Sequence, residues 1–99
     1  MKGVKMHRYE GMLILKPHLG KEREEEISRK IEKLITQEGG KIKNFQPWGE
    51  RKLAYRIGKE NRGVYFLFHF LLSPQSVEKI KRACQLEEDI LRILIVRMK

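Results

Sequence analysis

The chain switches between two spacings of apolar residues, and the switches predict its elements. From Arg8 to Lys16, Tyr9, Gly11, Leu13 and Leu15 share one parity and Glu10, Met12, Ile14 and Lys16 the other. Apolar groups on both parities predict a strand in the middle of a sheet, and Pro17 stops it. From Lys21 to Glu38 the period lengthens. Ile27, Ile31, Leu34 and Ile35 fall at i, i+4, i+7 and i+8, one narrow stripe of a helix. Glu22, Glu24, Glu25 and Glu26 crowd its first turns, where the helix dipole favours anions. Its other charges read as a solvated face with pairs such as Glu26–Lys30, and Gly39-Gly40 reads as its C-terminal cap.

Lys41 to Phe45 opens a second strand, which Pro47 is expected to divide or bend. Beyond Trp48 the alternation resumes. Leu53, Tyr55 and Ile57 are expected to face core, with Lys52, Ala54 and Arg56 on a cationic side. Gly58 to Gly63 reads as a polar loop carrying Lys59 and Arg62. Val64 to Leu72 is the most apolar run, with Tyr65, Leu67, His69 and Leu71 against Phe66, Phe68, Phe70 and Leu72. The two runs make a hairpin, and the second should also be central. Helices cover only one face, so an aromatic row is expected to stay partly open as an interaction surface, unless a partner or the chain itself covers it.

Ser73-Pro74 opens a second helix, Ser as N-cap and Pro at the first helical position. Val77, Ile80, Ala83 and Cys84 form its stripe, so Cys84 reads as a buried, inert thiol. Glu87-Glu88-Asp89 marks a turn, and Ile90 to Met98 the last strand. The order β-α-β-β-α-β predicts an α+β, ferredoxin-like fold: a four-stranded antiparallel sheet with two helices on one face, spanning residues 1–99 as a single domain. Met1 to His7 reads as a loose arm.

Composition narrows the function. No apolar run is long enough to span a membrane, and no small-residue cleavage site follows the basic N-terminus. One cysteine excludes an internal disulfide and fits a reducing compartment, the cytoplasm by default. The formal charge of +9 is unevenly spread: residues 21–38 carry a net −1 and the remainder a net +10. That asymmetry favours a polyanion partner, nucleic acid ahead of anionic lipid, over charge kept for solubility alone.

Catalytic chemistry does not assemble. There is no Gly-rich phosphate loop, no Cys-x-x-Cys pair and no histidine cluster, so no cofactor or metal is expected. The serines have structural explanations at helix positions, and Asp89 is the only aspartate. His69 reads as a packed, hydrogen-bonded histidine, since no second ligand is spaced to join it. An acylphosphatase-like enzyme can share this topology, but Lys16-Pro17-His18-Leu19-Gly20 is not the Gly-rich loop that such an enzyme needs.

The residues resemble the bacterial small-subunit ribosomal protein S6 family from Arg8 to Arg97. The resemblance rests on Arg8-Tyr9-Glu10 opening a strand that ends in Leu15-Lys16-Pro17, then on Trp48-Gly49 and Arg51-Lys52-Leu53-Ala54-Tyr55. It continues through Ile57, Gly58-Lys59, the Gly63 to Phe68 strand opening and Ile90-Leu91-Arg92. Arg56 stands where a proline usually follows the tyrosine, and the longer C-terminal tail of many members is not matched. The resemblance implies a structural constituent of the small ribosomal subunit. It would bind the central domain of the small-subunit (16S) ribosomal RNA together with a heterodimer partner, ribosomal protein S18. Arg8, Arg51, Lys52, Lys59 and Arg92 match motif positions as RNA contacts; His7, Arg56, Arg62 and Arg97 join them on charge and placement. Tyr9, Trp48, Phe66, Phe68 and Phe70 are the candidates for the protein partner, with ordinary sheet packing as the alternative.

Two rivals stand beside this reading. A free-standing single-stranded RNA-binding module would stack bases on the central strands, but the first of these offers only Met12 and Ile14 on one face and Tyr9 on the other. An acyl-phosphate enzyme would lose turnover on changing Arg56 or Arg62.

Overall fold

The computed structural model describes residues 5–99; the first four residues of the expected N-terminal arm lie outside that range. The elements follow in the expected order: β1 (His7–Leu15), α1 (Lys21–Gln37), β2 (Lys41–Ile57), β3 (Glu60–Leu72), α2 (Pro74–Gln85) and β4 (Ile90–Arg97). They build one antiparallel sheet, ordered β2-β3-β1-β4. β1 and β3 are the central strands, as their two-sided apolar patterns require.

Both helices cover the same face. Ile27, Ile31 and Ile35 of α1, and Ile80 and Cys84 of α2, are buried against Leu13, Leu15, Phe66, Phe68, Phe70 and Leu72 of the sheet. Each such side chain contributes about 1.5–3 kcal/mol by leaving water. Burial also pushes the Cys84 thiol up to about 11, so it stays protonated and inert. A row of rings runs through this layer. Tyr9 stacks on Phe70 at 5.4 Å, Phe70 on Phe68 at 5.5 Å, and Phe68 on Phe45 at 5.1 Å. The aromatic parity of β3 therefore faces the helices, and the chain itself covers the row expected to be open. Its other parity, Tyr65, Leu67, His69 and Leu71, lies on the uncovered face and is only partly buried.

Gly11 makes this packing possible. It lies opposite Phe68, and a Cβ at this position would come within 2.5 Å of the Phe68 ring. At the end of α1, Gly39 takes a φ of 82° and its N–H bonds to Thr36 O, while Gly40 N–H bonds to Ile35 O. These two bonds make a Schellman motif, so the Gly-Gly pair is the expected C-terminal cap. Ser73 holds the N-cap position of α2 but makes no side-chain cap bond; its hydroxyl meets that of Ser76 at 3.0 Å.

The hairpin departs from expectation in two ways. β2 is not divided at Pro47; it runs for 17 residues and absorbs its irregularities as register shifts around Asn44, Pro47–Gly49 and the tip. As an edge strand it tolerates a missing N–H. The loop is also shorter, only Gly58-Lys59, with Gly58 at φ 60°, the first central position of a II′ turn. β3 begins at Glu60 because Glu60, Arg62 and Gly63 pair with β2 alone, beyond the last pairing of β1. With no third strand beside them, polar residues carry no core pattern to betray a strand.

The turn before β4 is clamped to α1. Arg23 donates to Asp89 at 2.9 Å and to Glu87 at 2.7 Å, and Lys30 reaches Glu87 at 2.8 Å. Lys30 thus pairs across the fold rather than with Glu26, which takes Arg23 instead. The Lys30 hydrogen bond is the main cause that holds the Glu87 carboxyl below its usual range. Its stabilising contribution is then complete above the unfolded value, near pH 4.5, and is lost as pH falls through the folded value.

Two outcomes follow from this packing. Gly11→Ala is expected to cost about 1–3 kcal/mol in urea unfolding, from overpacking against Phe68, and the Gly11→Ala/Phe68→Leu pair to cost less than the sum of the single changes. In melting curves between pH 6 and pH 3, Glu87→Gln should lose less stability than the parent chain. Equal slopes would mean that the clamp does not carry the acid sensitivity.

Candidate nucleic-acid interface

The uncovered face of the sheet has a middle and two ends. Its middle is apolar. Met12 of β1 lies between Leu67 of β3 and Leu94 of β4, with Val96 opposite Glu10. Leu94 is 47% exposed and Val96 61%. One polar pair crosses it: His69 Nε2 and Glu10 Oε2 are 3.2 Å apart on facing residues of β3 and β1. That agrees with the reading of His69 as a hydrogen-bonded histidine.

The nine candidate RNA contacts fall at opposite ends of the sheet, about 26 Å apart along the nine residues of β1. His7, Arg8 and Arg97 share the end where β1 begins and β4 finishes, but only Arg8 lies on the uncovered face; His7 and Arg97 fall on the helix-side parity with Leu72 and Tyr9. Arg8 is exposed and donates to Lys99 O at 2.7 Å, and Met98 N–H closes the strand pair on Arg8 O. Lys41 and Lys43 of β2 face Leu71 and His69 there, and Lys43 lines a cleft of about 220 Å³ with Arg8, His69, Leu71 and Met98. The sequence reading left both lysines out of the site; their pairing with β3 is a register fact. Desolvation, then the charges of Arg97 and Lys5, hold the His7 imidazole below its ordinary value. Near neutral pH it is an uncharged hydrogen-bonding group rather than a cation.

Arg51, Lys52, Arg56, Lys59 and Arg62 lie on the hairpin at the other end, all exposed. Arg62 is engaged by Glu50 at 2.7 Å. Arg92, at the start of β4, joins them through Tyr55: its guanidinium stands 5.7 Å from the ring centroid, and Nη1 donates to the tyrosine hydroxyl at 3.1 Å. Leu53 is buried beneath this pair, but beside Ile14 on the uncovered face rather than in the helix-covered core, and Tyr55 is 61% exposed and not core. The two tyrosines Tyr55 and Tyr65, with Arg92, line a shallow cleft of about 180 Å³.

The five partner candidates separate. Tyr9, Phe66, Phe68 and Phe70 are buried in the chain's own core, which corrects the expectation that they offer a free surface. Trp48 alone is accessible, on β2 with the Arg51 guanidinium 5.5 Å from its ring. On the uncovered face the exposed aliphatic groups are Leu94 and Val96 of β4, beside the partly buried Met12 of β1 and Leu67 and Leu71 of β3. The signal that names them is the second parity of β4, Arg92, Leu94 and Val96, an apolar pair on a strand face that no helix can reach. Base-stacking aromatics on the central strands reduce to Tyr65, so the face lacks the chemistry of a single-strand-reading sheet. Among the described residues, no three His, Cys, Asp or Glu side chains group to hold a metal ion, and no helix is long and apolar enough to cross a membrane.

Comparison with known proteins gives one direction. The family described as Ribosomal protein S6 matches residues 8–97. The small ribosomal subunit protein bS6 of Caldanaerobacter subterraneus subsp. tengcongensis is 39% identical over 92 residues, covering 93% of this chain and 97% of that protein. Its counterpart in Campylobacter lari is 39% identical over 95 residues, covering 93% of this chain and 74% of that one. Among solved structures, ribosomal protein S6 of Thermotoga maritima superposes with a TM-score of 0.86 at 29% identity, over 95% of this chain and 89% of that chain.

The division between covered and open apolar groups has a direct check. Phe68→Ala is expected to cost about 3–5 kcal/mol in denaturant unfolding. Leu94→Asp and Val96→Asp, at exposed positions, should each change stability by less than about 1 kcal/mol.

Proposed function

The chain belongs to the ribosomal protein S6 family, and on that premise we propose that it binds the central domain of small-subunit ribosomal RNA together with ribosomal protein S18, as one half of a heterodimer. It is a structural constituent of the small ribosomal subunit, in the cytoplasm, and its role is structural rather than enzymatic. The chain acts as a single domain.

The observation that carries the finer reading is the open sheet face, apolar in the middle, with Arg8, Lys41 and Lys43 at one end of that face and Arg51 and Arg92 at the other. A monomer gains nothing by leaving Leu94 and Val96 in water. The apolar middle suits a protein partner, and the flanking cations suit phosphates on either side of it. On this reading Arg8 and Arg97 serve one RNA segment, and Arg51, Lys52, Arg56, Lys59, Arg62 and Arg92 another. His7 contributes a hydrogen bond, and a charge only in acid. The aliphatic groups of the open face replace the buried aromatics as candidates for partner contact. RNA shape and phosphate spacing, not a base code, would be read by the cations. A free-standing single-strand module has little support from the sheet face, whose central strands offer Tyr65 as their one outward ring.

Binding to a central-domain RNA fragment, with and without ribosomal protein S18, across a salt series tests this. Tight binding is expected only with the partner, with log affinity falling linearly against log salt. Removing one phosphate-neutralising cation should shallow that slope by about 1. Leu94→Asp/Val96→Asp should abolish the heterodimer while the chain stays folded. Equal binding without S18, or a preference for short single strands, would overturn the proposal.

A further inference from the structure

We propose that Trp48 and Arg51 form a stacking site for one unpaired base of the bound RNA. This rests on the RNA-binding reading above and adds a contact of another kind, made to the face of a base rather than to phosphate. It also moves Trp48 from the protein side of the interface to the RNA side.

The geometry is that of a platform. Trp48 is 44% exposed, although tryptophan is on average highly buried. It sits on the edge strand at the register shift between Pro47 and Gly49, and Gly49 takes a φ of 88° with nothing within 4 Å of an added Cβ. The stacked rings of the core do not include it. Arg51 holds its guanidinium 5.5 Å from the indole centroid, and its Nη2 donates to Trp48 O at 3.4 Å. Among the described residues, no carboxylate pairs with Arg51, because its neighbour Glu50 is taken by Arg62 at 2.7 Å. The result is a planar apolar ring beside a planar cation that no acid neutralises.

The electrostatic setting selects the occupant. From Trp48 to Gly63 there are five cations and two carboxylates, and one of those carboxylates is already paired. A cationic partner surface would be repelled here. An unpaired nucleotide supplies both complements at once, a π-face for the indole and guanidinium and a phosphate for the surrounding cations. Stacking of this kind tolerates any base.

Trp48 is the only tryptophan of the chain, so substitution with 5-fluorotryptophan gives a single fluorine resonance. That resonance is followed while ribosomal protein S18 is added, and then the central-domain RNA fragment. The expected result is an upfield ring-current shift when RNA is added. Trp48→Ala and Trp48→Leu should each weaken RNA binding about tenfold, Trp48→Phe should recover most of it, and affinity for S18 should be unchanged. The Leu variant keeps apolar bulk without a π-face, so it separates stacking from packing even if the Ala variant is unstable. A resonance that moves with S18 alone and ignores RNA would overturn the proposal, as would parent-level RNA affinity in Trp48→Leu. In both cases RNA binding by the parent chain would still stand. Absence of RNA binding by the parent protein would instead remove the RNA-binding reading and the stacking site with it.

Discussion

The stack of rings from Tyr9 through Phe70 and Phe68 to Phe45 is the constraint on which the rest of the structure depends. It crosses three strands and lies directly beneath Ile27, Ile31 and Ile35. Strand residues alternate faces, so burying Phe66, Phe68 and Phe70 commits Tyr65, Leu67, His69 and Leu71 to the other side. A slip of one residue would exchange the two sets. Gly11 locks the choice, because only a residue without a side chain fits under the Phe68 ring. The character of the open face, aliphatic rather than aromatic, is thus decided in the core.

Much of this was legible in the chain. The periods of β1, α1, β3 and α2 give element types, and two-sided apolar patterns pick out the central strands. The direction of the β3 faces was not legible. Both parities of Val64–Leu72 are apolar, and choosing between them needs the packing volume under the helices, where rings fill space that Leu67 or Leu71 would leave empty. Residues 60–63 were missed because Glu60, Asn61, Arg62 and Gly63 bring no apolar side chain and so show no hydrophobic period. Tyr55 was misplaced for a related reason: the alternation with Leu53 and Ile57 is real, but the hairpin there has no helix above it. The cations were easy to name and hard to group, since grouping them depends on register between strands far apart in sequence.

The charges divide the molecule. On the helix side, Arg23 and Lys30 are spent within the fold, against Glu87, Asp89 and Glu26. On the hairpin and at the start of β1, most cations have no acid beside them. A similar number of lysines and arginines spread evenly would give the same net charge with no preferred orientation toward a polyanion. Separation by strand placement, rather than excess alone, gives this small domain two basic ends joined by a greasy centre.

The edge formed by β2 has a consequence for the chain before it meets any partner. A long unpaired strand is a template on which other chains can grow as fibrils. Along this edge Pro47 removes one donor, positive φ angles at Asn44 and Gly49 break the repeat, and Lys41 and Lys43 add like charge. Those irregularities look like defects in the hairpin. In an unassembled chain they keep the sheet finite.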